Sequence, residues 1–446
     1  MKNEFKNLVM DLMNISQSEF DKIYSAPSFR GIRINPLKSD FETVSKSFDF
    51  KLIKTPFFKD EYYIPADFEG IGNTPLHHAG GFYVQEPSAS SVLSVAAENL
   101  GENVLDLCAA PGGKSTGVGA MLNGKGILWS NEYVRKRAAV LLSNIERTGI
   151  GNAVVSSLDC KYLCDSLEGF FNTVLVDAPC SGEGMWRHNP TVEKQWGNDN
   201  INECVNRQRE ILKDAVKAVK SGGRLIYSTC TFNKRENEET VIWFLENFPQ
   251  FTLQKIDLDF GMGGLSGNEE IDSKVKRIFP IHGGEGHFIA LFKRANDGNC
   301  YLGDYVKENI SKNHKEITEK FLEENFKNLP KGVLTEKNNL VYLVPENTPL
   351  VKGDVLRYGI FVGEIRKNRL EPAHSIFTSG LCVPKNLLNL DINDERVLNF
   401  LKGLEIKCRE EFSGYAGIAV SGAVLGFGKA SKGRITNKYP KGLRLL

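Results

Sequence analysis

Apolar residues recur along this chain in more than one rhythm. From about 85 to 294, the short apolar runs VLDLC, GILWSNE, AVVSSLD, TVLVDAPC and GRLIYSTC alternate with segments of helical period. Runs too apolar to alternate with polar residues are strands covered on both faces, so this stretch predicts a parallel sheet with helices on either side. One such helix is expected over Ile201 to Lys220, with Val205, Leu212, Ala215, Val216 and Val219 on one face and Ser221-Gly222-Gly223 as its stop. Ahead of this block, MKNEFKNLVMDLMNISQSEF reads as an amphipathic helix. The runs GIRINPL, FKLIKTPFF and EYYIP, broken by Pro, Asp and Gly, then complete a small α+β module. Around 295 the Asn-, Asp- and Gly-rich RANDGNC predicts a linker, followed by a Lys/Glu-rich helical stretch. From about 335 the β runs NLVYLV, LRYGIFVGEI and GIAVSGAVLGFGK dominate. The expected units are residues 1–80, 81–294, 295–390 and 391–446.

Composition narrows the classes. With 446 residues, 41% hydrophobic and 25% charged, the chain is long enough for several cores and too apolar for wholesale disorder. Lys plus Arg number 56 against 55 Asp plus Glu, so any surface for an anionic partner must be local. No stretch approaches the ~18 consecutive apolar residues of a membrane span, and the first residues do not read as a secretory signal. A cytoplasmic location with no membrane partner is therefore expected. The nine cysteines, scattered from Cys108 to Cys408, form no disulfide framework. Cys160 and Cys164 lack a second pair at zinc spacing, so no metal is expected.

In an open parallel sheet, ligands bind beyond the carboxyl ends of the strands, where strand order reverses. The first run ends in Asp106-Leu107-Cys108-Ala109-Ala110-Pro111-Gly112-Gly113-Lys114-Ser115-Thr116, a turn of small residues that admits a ligand close to the backbone. Gly113-Lys114-Ser115 matches the end of a phosphate-binding loop, but position 108 is Cys where that loop needs its first Gly, and Pro111 has no N–H to offer. The next runs end in Glu132, Asp159 and Asp177. Acids closing successive strands suit a cationic ligand with hydroxyl and amino groups, which points to S-adenosylmethionine over a pyrophosphate. Any one of them alone could be a solvated loop residue or a helix cap.

Two strand ends carry thiols, in Asp177-Ala178-Pro179-Cys180-Ser181-Gly182 and Ser228-Thr229-Cys230-Thr231. Neighbouring strands lie about 4.8 Å apart, so both thiols could open into one pocket. Carbon 5 of a pyrimidine is a poor nucleophile until a thiolate adds to carbon 6, after which a second group must remove the carbon-5 proton. A free thiol is only slightly ionised near neutrality. Lys114 and the donor sulfonium are candidates to favour the thiolate.

The segments DLCAAPGGKST, DAPCSGEGMWRHNP and YSTCTFNKRENEE resemble three motifs of the Nol/Nop/Sun family of RNA cytosine-5 methyltransferases. RINPLK at 33–38, GGFYVQEPSAS at 80–90 and RIFPIHGGEGHFIALFKR at 277–294 extend the resemblance over about 30–294. It implies a Rossmann-like S-adenosylmethionine-dependent core with Cys230 as nucleophile, Cys180 assisting release and Asp177 contacting the base. It also implies a donor site of Cys108, Ala109, Ala110, Pro111, Gly112, Gly113, Lys114, Glu132, Asp159 and Asp177. Arg137, Asn144, Arg147 and Gly149 fit the family's helix pattern, though a solvated helix face explains them too. His287 departs from it, standing where the family often has an aromatic, with an expected effect on packing and not on chemistry. A flipped or single-stranded base is expected as target.

A rival orientation makes Cys180 the nucleophile, as in DNA cytosine-5 methylases, and leaves the STC motif without a role. Amino-group methylation would want an Asn or Asp followed by Pro-Pro and an aromatic, which Asp177-Ala178-Pro179-Cys180 is not. The last 34 residues hold Lys429, Lys432, Arg434, Lys438, Lys441 and Arg444 and no acid, with Phe427 and Tyr439 interleaved. This suits phosphate contact and base stacking. The ending NKYPKGLRLL resembles the PUA-like module of RsmF-type bacterial ribosomal RNA methyltransferases. The expected architecture is thus α/β, with an α+β amino-terminal RNA-binding module, the methyltransferase core, a carboxyl-terminal α+β region and a PUA-like segment. The expected protein is a monomer acting on 16S rRNA or the small subunit. Transfer RNA as substrate, a non-catalytic assembly factor with a relic pocket, and a protein methylase are the alternatives.

Overall fold

In the computed structural model, which describes residues 2–187 and 190–445, five parallel strands form the centre: β1 Asn103–Asp106, β2 Ile127–Asn131, β3 Ala153–Ser156, β4 Phe171–Asp177 and β5 Val219–Thr229. They lie in the order 3-2-1-4-5. Strand order therefore reverses between β1 and β4, which places the ligand crevice at their carboxyl ends. Antiparallel strands β6 Phe251–Gln254, β7 Lys276–Ile278 and β8 His287–Arg294 extend the sheet beyond β5. On the far edge, β9 Val355–Tyr358, from the carboxyl-terminal half, pairs antiparallel with β3.

Both faces are covered, as continuous apolar runs require. Helices α1 Gly113–Leu122 and α2 Arg135–Arg147 bury Val118, Leu122, Leu141 and Ile145 against Val104, Leu128, Val155 and Ile226. On the other face, α3 Cys160–Ser166, α4 Asn198–Ala218 and α5 Glu238–Asn247 bury Leu163, Leu212, Val216 and Phe244 with Leu105, Trp129, Val154 and Leu225. Alternate residues of each strand thus feed opposite cores. The helix expected to run to Lys220 ends at Ala218, and Ser221-Gly222-Gly223 is not a helix stop but the bulged start of β5. Ser221 N–H donates to the Asn299 carbonyl and Gly222 N–H to that of Ala295, so the linker keeps the segment extended.

The amino-terminal module has two helices, Asn3–Met13 and Gln17–Ser25, where a single helical stretch was expected; Ser16 and Glu19 form a capping box between them. An antiparallel sheet follows, ordered Ile53–Lys54, Glu61–Ile64, Arg30–Ile34 and Phe82–Gln85. Beyond the central sheet come helix Lys312–Asn325, a four-stranded antiparallel sheet over residues 333–372, and a five-stranded sheet over residues 387–437. Among the described residues no helix is long and apolar enough to cross a membrane.

Candidate active site

Strands β4 and β5 are parallel neighbours with Asp177 opposite Ser228, so the loops leaving their ends start side by side. Ala178 N–H donates to the Ser228 carbonyl, and Gly184 N–H to that of Cys230. A Cβ at Gly184 would come within 3.0 Å of the Cys230 carbonyl oxygen, so only glycine lets the loops approach this closely. The result is a sulfur pair: Cys180 Sγ and Cys230 Sγ are 3.2 Å apart and partly accessible. Contact with Cys230 and burial push the Cys180 thiol well up, which favours Cys180 as the protonated member of the pair.

A charged pair stands beside them. Lys114, in the first turn of α1, donates from Nζ to Asp177 Oδ2 at 2.7 Å, and Ser228 Oγ donates to Asp177 Oδ1 at 2.7 Å. Burial is the largest influence on Asp177 and opposes its ionisation, but the Lys114 ammonium, His287 and the Ser228 hydroxyl together hold the carboxyl below the usual carboxylate range. Burial likewise works against the charged form of Lys114, and Asp177 reverses the effect. Only 30% of the Asp177 side chain is exposed.

The strand-end acids behave differently from one another. Glu132 accepts the Val134 N–H at 2.9 Å and lies 3.3 Å from Arg137, with only 6% of its side chain exposed. Asp159 is exposed and accepts the Tyr162 N–H, so it caps α3. Asp106 is sealed: Ser115 Oγ donates to Oδ2 at 2.6 Å, Oδ1 has no partner among the described residues, and burial pushes the carboxyl up to about 6. Of the four acids read from the sequence, Asp106 therefore stands behind the pocket wall instead of lining it.

The turn from Cys108 to Lys114 is held from both sides. Arg137 donates to the Ala110 carbonyl and Asn144 to that of Pro111, so these α2 residues do more than face solvent. Arg147 instead reaches back to the His77 and Phe82 carbonyls. Gly112 has φ of 114° and sits 3.2 Å, at its would-be Cβ, from Leu141. Cys108 faces Cys160, which with burial raises its thiol. Ala109 is buried, and Gly113 offers its carbonyl to Arg33 at 2.7 Å.

Sequence reasoning missed three groups here. Arg33 of the small sheet is buried and also donates to Gln85 Oε1 and Thr116 Oγ1, tying the amino-terminal module to the turn. Glu236 is fully buried beneath the cysteine loops, accepts from Ser181 N–H at 2.9 Å, Ser181 Oγ and Gln208 Nε2 at 2.8 Å, and is pushed by burial up to about 7. Glu183 accepts from Thr231 Oγ1, the Phe232 N–H and Trp196 Nε1. The available signal was a run of acids after the STC motif. His287 is placed against the Asp177 carboxylate, so the expectation that it matters only to packing does not describe its surroundings. His188 and Asn189, which close the DAPC motif, lie outside the described residues.

At the carboxyl terminus Lys429, Lys432, Arg434, Lys438 and Lys441 are exposed, while Arg444 is half-buried and bonds the Tyr439 carbonyl. Phe427 and Tyr439 are 4% and 2% exposed, so the expected stacking on RNA is unavailable to them; both are core residues of the last sheet and its neighbours.

Comparison with known proteins assigns these parts. Residues 93–293 match the model of 16S rRNA methyltransferase RsmB/F, and residues 1–87 that of the N-terminal domain of 16S rRNA methyltransferase RsmF. Residues 320–379 match the RsmF rRNA methyltransferase first C-terminal domain, and residues 387–445 the methyltransferase RsmF PUA domain. The chain is 31% identical to ribosomal RNA small subunit methyltransferase F of Vibrio vulnificus, over 96% of its own length and 94% of the relative's. It is 35% identical to the protein of that name from Escherichia coli O157:H7, over 63% of this chain and 60% of the relative. Among solved structures, a methyltransferase homolog protein from Pyrococcus horikoshii superposes with a TM-score of 0.55 at 25% identity, covering 66% of this chain and 100% of that one. NSun6 from the same organism, solved with SFG, shares the fold at a TM-score of 0.56 and 21% identity, covering 66% and 99%. Four matched segments in order, with the sulfur pair at the centre of the second, place the chain: it belongs to the ribosomal RNA small subunit methyltransferase F family.

Proposed function

We propose that the chain methylates carbon 5 of a cytidine in 16S rRNA, with Cys230 attacking carbon 6 and Cys180 assisting release. The observation that carries this reading is the 3.2 Å approach of the two sulfurs next to the Lys114–Asp177 pair. A buried thiol beside a second thiol has no structural use that a smaller apolar residue would not serve, whereas the chemistry needs one nucleophile and one proton acceptor.

S-adenosyl-L-methionine fits the crevice as donor, and when bound it supplies the methyl group as an electrophilic sulfonium carbon. Glu132 is placed to accept from its ribose hydroxyls, Asp159 lies at the next strand end, and the small-residue turn admits it close to the backbone. The chain's own residues account for the remainder. Asp177, kept ionised by Lys114, accepts from the exocyclic amino group of cytosine. The S–H of Cys180 stabilises a thiolate on Cys230, which forms the bond to carbon 6. Once that sulfur is bonded to carbon 6, Cys180 gives its own proton to solvent, and the resulting thiolate takes the proton from carbon 5 as the Cys230–carbon bond breaks. Burial, which also raises the Cys180 thiol, keeps that thiolate a strong base for this last step. Five exposed cations on the last sheet supply phosphate contacts to the RNA.

Bisulfite sequencing of 16S rRNA, from cells with and without the protein, tests the reading. A cytidine protected only when the protein is present, and lost with Cys230→Ala, is the expected result. An unchanged methylation pattern overturns it.

A further inference from the structure

His287 opens β8, the antiparallel neighbour of β5, and is 3% exposed. Its Nε2 lies 3.7 Å from Asp177 Oδ1, just beyond hydrogen-bond length, and neither ring nitrogen has a hydrogen-bond partner among the described residues. Buried polar groups are otherwise paired in native proteins, and an unpaired one calls for an explanation in function. A phenyl ring would fill the same volume without it.

The surroundings select one protonation state. Burial and the nearby Lys114 ammonium both disfavour an imidazolium, and they hold His287 down at about 3 despite Asp177 and the adjoining Gly286 backbone. A neutral ring facing a carboxylate presents its N–H, so Nε2 carries the proton and can only donate to Asp177. Asp177 already accepts from Ser228 on Oδ1 and from Lys114 on Oδ2, and each carboxylate oxygen has a second lone pair.

We propose that His287 is a positioning residue for Asp177: when the target pyrimidine enters, its Nε2–H closes onto Oδ1 and fixes the carboxylate with its free lone pairs toward the base. This rests on the cytosine reading above and deepens it. A carboxylate held by three donors keeps its charge and orientation, accepts the amino group of cytosine, and repels the carbonyl oxygen at the same place in uracil. His287 is then a determinant of base choice that acts through Asp177 and does not touch the reacting atoms.

The test is steady-state methylation of a cytidine-containing rRNA fragment by the full chain, its His287→Phe variant and its His287→Gln variant. Loss of one hydrogen bond to a charged group predicts a fall in kcat of about tenfold for His287→Phe. RNA and donor affinities stay unchanged, and His287→Gln, which can place an amide N–H near the Nε2 position, recovers most of the rate. In parallel, the nitrogen resonances of histidine-labelled protein report whether Nε2–H becomes hydrogen-bonded on adding the RNA. A kcat for His287→Phe equal to that of the parent, or a His287 resonance unmoved by RNA, overturns the proposal while leaving the parent enzyme active. A parent chain without turnover on this RNA, by contrast, overturns the cytosine reading and this one with it.

Discussion

Replacing Lys114 with Met removes the charge of the lysine while keeping an unbranched chain of similar length in the first turn of α1. The parent ammonium donates to Asp177 Oδ2 at 2.7 Å, and hydrogen bonds to charged groups contribute about 1.5–3 kcal/mol. Because 30% of the Asp177 side chain is exposed, water takes up part of the lost interaction, which favours the lower half of that range. At about 1.4 kcal/mol per factor of ten, kcat/KM at neutral pH should drop about ten- to fortyfold. The loss should also depend on pH. In the parent, the ammonium helps hold Asp177 ionised below the usual carboxylate range; in the variant, burial is opposed only by Ser228 and His287 and draws the carboxyl upward. The acid limb of the kcat/KM profile therefore moves to higher pH, the deficit is greatest in acid, and it shrinks as pH rises past the new limb. Lys114→Arg keeps the charge and should keep the limb in place while losing rate through altered geometry. Initial rates of labelled methyl incorporation into an rRNA fragment, measured across the pH range, decide the matter. A uniform loss with an unmoved acid limb would refute action through Asp177.

Cys180→Ala removes the proton acceptor, a contribution of about 10²–10⁴ to the step it serves. The Cys230–RNA adduct should therefore accumulate as a denaturant-resistant band, and its absence with RNA that the parent methylates would count against the release role. Glu236→Ala leaves the Ser181 N–H and the Gln208 amide buried without their acceptor, and should cost about 2–4 kcal/mol in chemical denaturation. The Glu236 carboxyl holds its proton more tightly folded than unfolded, so its stabilisation is present in acid and fades as pH rises to about 7; the cost should be largest on the acid side. Changing Lys429, Lys432 and Lys438 together to Ala should reduce the slope of log RNA affinity against log salt by about 2, with donor affinity unchanged. An unaltered slope would mean that this face does not meet the phosphates.

Much of the core could be read from the sequence because its grammar is short-ranged. Each of the five apolar runs is one parallel strand, and Asp177, Cys180 and Cys230 sit at or just past the ends of their runs, with Lys114 opening the helix after the first, so position singled them out. What failed was whatever depended on a distant partner. The pairing of residues 355–358 with β3 joins segments with no shared local signal. Arg33 lies between Ile32 and Ile34 on a strand, where alternation sends it to solvent. The turn of α1 covers that face instead and supplies its acceptors. Asp159 and Glu132 look equivalent as strand-end acids, yet one is exposed and caps a helix while the other is buried beside Arg137. The length of the helix into β5 was misjudged because the carbonyls of Ala295 and Asn299, far along the chain, convert a glycine-rich stop into an extended bulge.

Tyr439 and Phe427 show the same limit from the other side, and they bear on how the RNA face is built. Their spacing among lysines suggested stacking, but Tyr439 is part of a core that unites Ile32, Leu76 and Phe82 of the amino-terminal module with Phe400, Ile418 and Leu425 of the last sheet. His78 Nδ1 lies 3.1 Å from the Tyr439 hydroxyl, and half-buried Lys38 donates to the carbonyls of Thr378 and Val424. The first and last modules therefore fold against one another, and the chain ends brace one side of the catalytic domain as a unit. Deleting residues 391–446 would expose the amino-terminal half of that shared core as well as remove cations, so it cannot separate RNA affinity from stability. Charge substitutions at exposed lysines leave the core intact. Arg33 of this amino-terminal module donates to the Gly113 carbonyl, to Thr116 and to Gln85 at once, so a shift of the braced modules would be felt at the turn beside Lys114.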